Sequence, residues 1–215
     1  MMSHEKLIEK ILNHFAGPLF FDELKIAQKE FFDQTSLDQD FSKHFELRMN
    51  QFYDWYFFSR KLSNFGQTPL ESCFLVRELR FTEEEIAMID ILKKNIHSLF
   101  EFVKIKNSDV YIKDLVKNQK MVVKNSHVIF GFNEDELFET RLIEINGYYV
   151  FLKGFCFHPS TVKNIILAEI KKYRKNSDLD PEALMFRLMK MRYKYEQYKH
   201  VKPELIYQNE SKINI

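Results

Sequence analysis

Apolar positions along the chain recur with two different periods, and the change of period divides it into three segments. Up to about residue 97 they fall three and four apart, as on one face of a helix. From 98 to 158 apolar and β-branched residues crowd short runs between turn signals, as in strands. After His158-Pro159-Ser160 the helical period returns. Ser3 to Phe15 carries Leu7, Ile8, Ile11, Leu12 and Phe15 on one side, with Ser3 as its N-cap, and Gly17-Pro18 breaks it. Leu19 to Phe32 repeats the pattern with Phe20, Leu24, Ala27, Phe31 and Phe32, and a polar stretch follows to Asp40. The most apolar helix spans Phe41 to Ser59. Phe41, Phe45, Phe52, Trp55 and Tyr56 share a face, and Tyr53, Phe57 and Phe58 add apolar surface on other sides. A helix apolar on more than one side is normally covered on more than one side. The pattern therefore predicts a central helix clasped by its neighbours, leaving recognition to outer surfaces.

Two capping boxes follow, Thr68-Pro69-Leu70-Glu71 and Thr82-Glu83-Glu84-Glu85. In each, the Thr hydroxyl and the Glu carboxylate satisfy backbone donors at a helix start. Strands are expected at about 99–106, 109–115, 119–124, 137–146 and 148–157, with turns at Asn107-Ser108-Asp109, Lys117-Asn118-Gln119 and Asn146-Gly147. The last turn has the Asn-Gly pair of a two-residue hairpin. A meander of this length suggests a small antiparallel barrel or curled sheet. The last strand, apolar on both faces, is expected to be central. Helices return at Thr161 to Lys175 and about 181–199, the second capped by Asp180-Pro181-Glu182, with a linker at Asn176 to Asp178. The fold class is α+β. A helical bundle over residues 1–97 is built on the central aromatic helix, a β-rich segment covers 98–158, C-terminal helices cover 159–202, and a tail of unassigned order covers 203–215.

Composition narrows this picture. The chain has 215 residues, enough for one domain or two small ones, and its 22 Phe argue for one shared, well-filled core or for a partner surface. Net charge is +1, so the chain as a whole gives no argument for a polyanion partner. Cys73 and Cys156 each lie in an apolar run, reading as buried thiols of a reducing compartment. No signal-peptide pattern and no apolar run of membrane-spanning length is visible, so a cytoplasmic protein without a membrane partner is expected.

The run FFDQT, then FELRMNQFYDWYFFSR, then the TPLE box and a β-rich segment resembles an uncharacterised bacterial protein family. Its shared motif corresponds here to Arg48, Met49, Phe52, Asp54, Trp55 and Tyr56, continued by Thr68 to Glu71. The terminal KYEQYKHVKPELIY is also similar to such proteins, so the resemblance covers about residues 28–207. Family members usually keep Gly near position 36 and an acidic residue near 59, where this chain has Ser36 and Ser59. The resemblance implies a shared fold and a soluble bacterial protein, and it carries no chemistry.

Candidate chemistry is sparse. Seven histidines (His4, His14, His44, His97, His127, His158 and His200) show no i,i+4 pair and no Cys-x-x-Cys partner, so spacing gives no metal site. Five glycines form no phosphate-cradling loop, and no cofactor is expected. Cys156 and His158 sit two apart on a strand and share a face, but among Phe155 and Phe157 the cysteine reads as a structural thiol. No catalytic residue is assigned. Asp54, beside Trp55, implies a raised pKa or an ion pair to Arg48, Arg60 or Arg77, and the structural reading is a buried pair that fixes packing.

Charge is unevenly placed. Residues 1–60 are net −3, whereas residues 161–202 hold eleven basic and five acidic residues, net +6. On this stretch Lys171, Lys172, Arg174, Arg187, Lys190 and Lys194 are the candidate contacts for a nucleic acid or another partner. The alternative is a solvated face, or one that docks on the chain's own acidic N-terminal helices. Three functions remain open: a non-catalytic binding or adaptor protein, with a protein partner or as a homodimer; a nucleic-acid or ribosome-associated protein; and an enzyme with a site around Asp54, which requires a concave pocket there.

Overall fold

The structure, a computed structural model, describes residues 3–35, 45–127, 132–133, 136–175 and 180–208. The expected start of the central helix at Phe41 and the linker at 176–178 lie outside the described residues. Helices α1 (His4–Phe15), α2 (Phe21–Thr35), α3 (Phe45–Phe58), α4 (Pro69–Ser72) and α5 (Glu83–Lys93) come first. Ser3 caps α1, and both capping boxes form, Thr68 with Glu71 and Thr82 with Glu85. Glu85 also binds Lys10 of α1 at 2.6 Å, so this cap ties two helices together. The first box opens only four residues of α4 before a 3-10 turn at Cys73–Leu75. No described helix is long and apolar enough to cross a membrane.

Among the described residues six strands follow: β1 (Ile96–Lys106), β2 (Asp109–Asp114), β3 (Gln119–Val123), β4 (Leu137–Ile145), β5 (Tyr148–Phe151) and β6 (Cys156–His158). Asn146 and Gly147 both take positive φ, 52° and 78°, and join β4 to β5 as the hairpin turn expected of that pair. Strand order is β1-β2-β3-β5-β4, closed by pairing of β1 with β4. All these pairs are antiparallel except β3 with β5, which meet through Val123 and Tyr149. An odd ring of alternating strands must place one parallel pair somewhere, and this is it. Strand β1 reaches both neighbours because its register shifts between Phe102 and Lys104, a bulge that lets it coil around the barrel.

The single strand expected at 148–157 is broken. Leu152 N–H still donates to the Arg141 carbonyl at 2.9 Å, but residues 153–155 leave the ladder, and β5 and β6 pair in turn with β4. Consequently β4 is the strand flanked along its length, and seven of its nine residues are buried. Phe100, Ile112, Phe138, Leu142 and Phe151 fill the barrel interior.

Helices α6 (Lys163–Lys175), α7 (Pro181–Gln197) and α8 (Pro203–Gln208) follow the sheet. Leu184, Leu188 and Met191 of α7 pack with Ile166 and Ile170 of α6 over Leu99 and Leu137 of the barrel wall. The other side of α7 gives Met189 and Tyr193 to the N-terminal core. The first residues of the expected tail form α8, and Ile206 and Tyr207 are buried against this layer. Most of the described phenylalanines serve these cores, and both cysteines are free and buried.

A cleft against the central helix and the buried polar cluster beneath it

Helix α3 is covered unevenly. Phe52 and Tyr56 point into the N-terminal core, where Phe52 meets Phe31 at 5.6 Å and Tyr56 donates to the Phe15 carbonyl at 2.8 Å. At about 100° per residue, Asn50, Tyr53, Asp54, Phe57 and Phe58 face the other way. Phe57 is fully buried there, and Tyr53 and Phe58 pack against the same core, so this side is covered in part. It borders a cleft of about 620 Å³ between α1, α3 and β5, lined also by Ile8, Leu12, Asn13, Phe151 and Lys153. The helix is thus covered on more than one side, as expected, and part of its second side also borders a cleft.

Asp54 sits at the floor of that cleft. Its side chain is 13% exposed, and its ion-pair partner is Arg141 of β4, with Nε 2.9 Å from Oδ2. Of the expected partners, Arg48 is six residues back along α3, about 240° around the axis, Arg60 lies past the end of the helix, and Arg77 is exposed. Arg48 pairs instead with Glu196 of α7 at 2.8 Å, and Arg60 with Glu30 at 2.6 Å and with Glu23. Arg141 is further fixed by donating to Asn95 Oδ1 at 2.9 Å and to Ser59 Oγ. Burial pushes the Asp54 carboxyl above its ordinary range, outweighing the opposing pull of Arg141.

The break between β5 and β6 makes room for this carboxylate. A Cβ on Gly154 would lie 3.0 Å from both Cβ and Cγ of Asp54. Gly154→Ala is therefore expected to lower stability by about 1–3 kcal/mol through overpacking. Chemical unfolding would read this as a lower midpoint with an unchanged slope.

Behind Asp54 lies a second, smaller cavity of about 20 Å³, bordered by Gln51, His97, Glu139, Arg141 and Cys156. It is large enough for one water molecule. Glu139 of β4 stands directly across from Cys156 of β6, and His158 follows two residues along the same strand, on the same face. The carboxylate, thiol and imidazole ligand atoms lie within 4.8 Å of one another. His97 Nε2 meets Glu139 Oε1 at 2.8 Å, and the Tyr207 hydroxyl meets His158 Nδ1 at 2.8 Å. Burial raises the Cys156 thiol well above its ordinary value and lowers His158 to about 3. Alongside, Gln51 donates to the Phe155 carbonyl and accepts from the Tyr193 hydroxyl, and Arg192 bridges Glu196 and the Phe157 carbonyl.

The basic C-terminal stretch lies elsewhere, on α6 and α7. Arg187 and Lys172 both pair with Glu169 of α6, and Arg174 donates to the Leu115 and Val116 carbonyls. Lys171 is exposed, and Lys190 and Lys194 are half-buried on α7. Several of these cations are thus engaged by their own helices and the β2 end.

Asp54 stands out in the sequence, whereas Arg141, Glu139 and His97 do not. The signal for two of them is a pair of charged residues, two apart, inside the apolar run LFETRLIEI. What to pair them with depends on the register of β4 against β6 and α3. No curated protein and no solved structure shows significant similarity to the chain. A model of the family of unknown function DUF7986 matches residues 3–205, and the chain belongs to that family.

Proposed function

We propose that this protein binds a small, largely apolar molecule carrying a hydrogen-bond donor, seated in the cleft with Asp54 at its floor. The observation that carries this reading is a concavity of about 620 Å³ meeting a recessed carboxylate. Ligand sites of small molecules typically have this size and this mixture of apolar wall and few polar groups. Ile8, Leu12 and Phe58 supply the wall, and Asp54 and Asn50 supply the polar contacts. A carboxyl with a raised pKa beside a cavity is also suited to proton transfer, so the enzyme reading around Asp54 gains support from the same geometry.

The adaptor and nucleic-acid readings have weaker support. Among the described residues Phe21, Phe45 and Phe74 are the exposed phenylalanines, so little of the excess is left for a partner or a second copy. Arg187, Lys172 and Arg174 have internal partners, which reduces what the basic stretch offers to phosphates. Free, buried cysteines suit a reducing compartment, and the cytoplasm is the location we propose.

Nile red, a neutral dye that fluoresces in apolar concavities, tests the cleft directly. One dye per chain is expected to bind. Asn13→Trp places a bulky ring on the exposed wall of α1 and is expected to weaken binding at least about tenfold, which at 1.4 kcal/mol per decade is a modest steric penalty. Aliphatic amines and amides are expected to displace the dye better than the matching carboxylic acids, and Asp54→Asn to erase that preference. Equal dye affinity in Asn13→Trp would remove the proposal.

A further inference from the structure

We propose that Glu139, Cys156 and His158 form a zinc site, bound through Glu139 Oε2, Cys156 Sγ and His158 Nε2. The inference stands apart from the cleft reading, because it rests on the ladder between β4 and β6. Cross-strand pairing puts Glu139 opposite Cys156, and the two-residue repeat of the strand puts His158 on the same face. Three donors of different type, one oxygen, one sulfur and one nitrogen, are thereby gathered within 4.8 Å. Around a tetrahedral zinc with bonds of about 2.0–2.3 Å the donors stand about 3.3–3.8 Å apart, so side-chain adjustments of about an ångström close the set.

The second observation is what these groups lack. The three residues are 1–3% exposed, and both Glu139 Oε2 and His158 Nε2 are buried without a hydrogen-bond partner. Buried polar atoms are rarely left so, and each one asks for an explanation. The opposite atom of each residue is held: Oε1 by His97 and Nδ1 by Tyr207. That is the arrangement by which outer groups orient metal ligands. With Nδ1–H donating to the Tyr207 oxygen, Nε2 presents its lone pair inward.

Charge and solvation agree. A carboxylate, a thiolate and a neutral imidazole around a divalent ion sum to zero, which suits a buried site. Zinc binding takes the thiol proton into solvent as the sulfur–metal bond forms, with no change of oxidation state. Three protein ligands leave a fourth position, and the cavity of about 20 Å³ bordered by Glu139 and Cys156 can hold the water to fill it. Soft sulfur together with nitrogen favours zinc over magnesium or calcium, which take oxygen ligands.

The test uses the full chain, stripped of metal and then titrated with cobalt(II), whose spectrum reports its ligands. One cobalt per chain is expected, with a thiolate-to-cobalt charge-transfer band and the visible bands of a tetrahedral ion. Zinc should displace it stoichiometrically. Cys73→Ser, which alters the other buried thiol, should leave the spectrum unchanged. Cys156→Ser should abolish the charge-transfer band, and Glu139→Gln should weaken zinc binding at least about 100-fold against a chromophoric chelator. Absence of the charge-transfer band in the unaltered chain overturns the proposal without any variant having to fold. So does a band that survives Cys156→Ser.

Discussion

Arg141→Met is expected to destabilise the protein by about 3–5 kcal/mol, the usual cost of removing one partner of a buried ion pair. The guanidinium is 5% exposed and the Asp54 side chain 13%, so solvent does little to replace the lost partner. Asn95 and Ser59 would lose their donor as well. Urea unfolding should show the loss as a lower midpoint with an unchanged slope. The pH dependence has a definite sign. Burial already holds the Asp54 carboxyl above its ordinary value of 3.8, and removing Arg141 takes away the largest influence that lowers it. The native state then binds a proton more tightly than the unfolded chain. Its deficit should therefore shrink as pH falls through the raised native value towards 3.8, and grow as pH rises. Pairing Arg141→Met with Asp54→Asn should recover part of the loss, since the orphaned charge is gone. A single variant within about 0.5 kcal/mol of the parent, the range of an ordinary surface change, would mean that the pair carries no such role.

Phe52→Ala is expected to cost about 3–5 kcal/mol by leaving a cavity at the centre of the aromatic cluster. Phe52 is fully buried, with Phe31 at 5.6 Å, Tyr56 at 5.9 Å and Phe32 at 6.1 Å between ring centroids. In a chain of this size that corresponds to a fall in Tm of about 6–20 °C. Leu19→Ala is the comparison, because Leu19 is 81% exposed and its replacement should stay within about 0.5 kcal/mol. Differential scanning calorimetry on the two variants separates burial from simple apolar content. Similar Tm values for both would show that α3 is not the centre of the N-terminal core.

Local chemistry is the legible portion of this chain. Thr68 with Glu71, and Thr82 with Glu85, specify helix starts within four residues, and both boxes form. Asn146-Gly147 specifies a turn because both residues accept positive φ. The stripe through Phe52 and Tyr56 follows from helical period alone. Relations across the fold are not legible. Nothing near Asp54 in sequence points to Arg141, since the pair depends on how α3 crosses β4. The run YYVFLKGFCF reads as one strand, yet Gly154 marks where it leaves the ladder. The need for glycine there comes from a carboxylate 100 residues upstream. Spacing alone puts Cys156 and His158 on one strand face, but Glu139 joins them only through the β4–β6 register.

The close approach of Gly154 to Asp54 has a thermodynamic consequence. Wedged against that backbone and clamped by Arg141, the acid has already surrendered its rotameric freedom when the chain folds. On the proposed ligand-binding reading, a guest entering from the α1 side would meet a stationary acceptor, and ordering that group would take nothing from the affinity of the encounter.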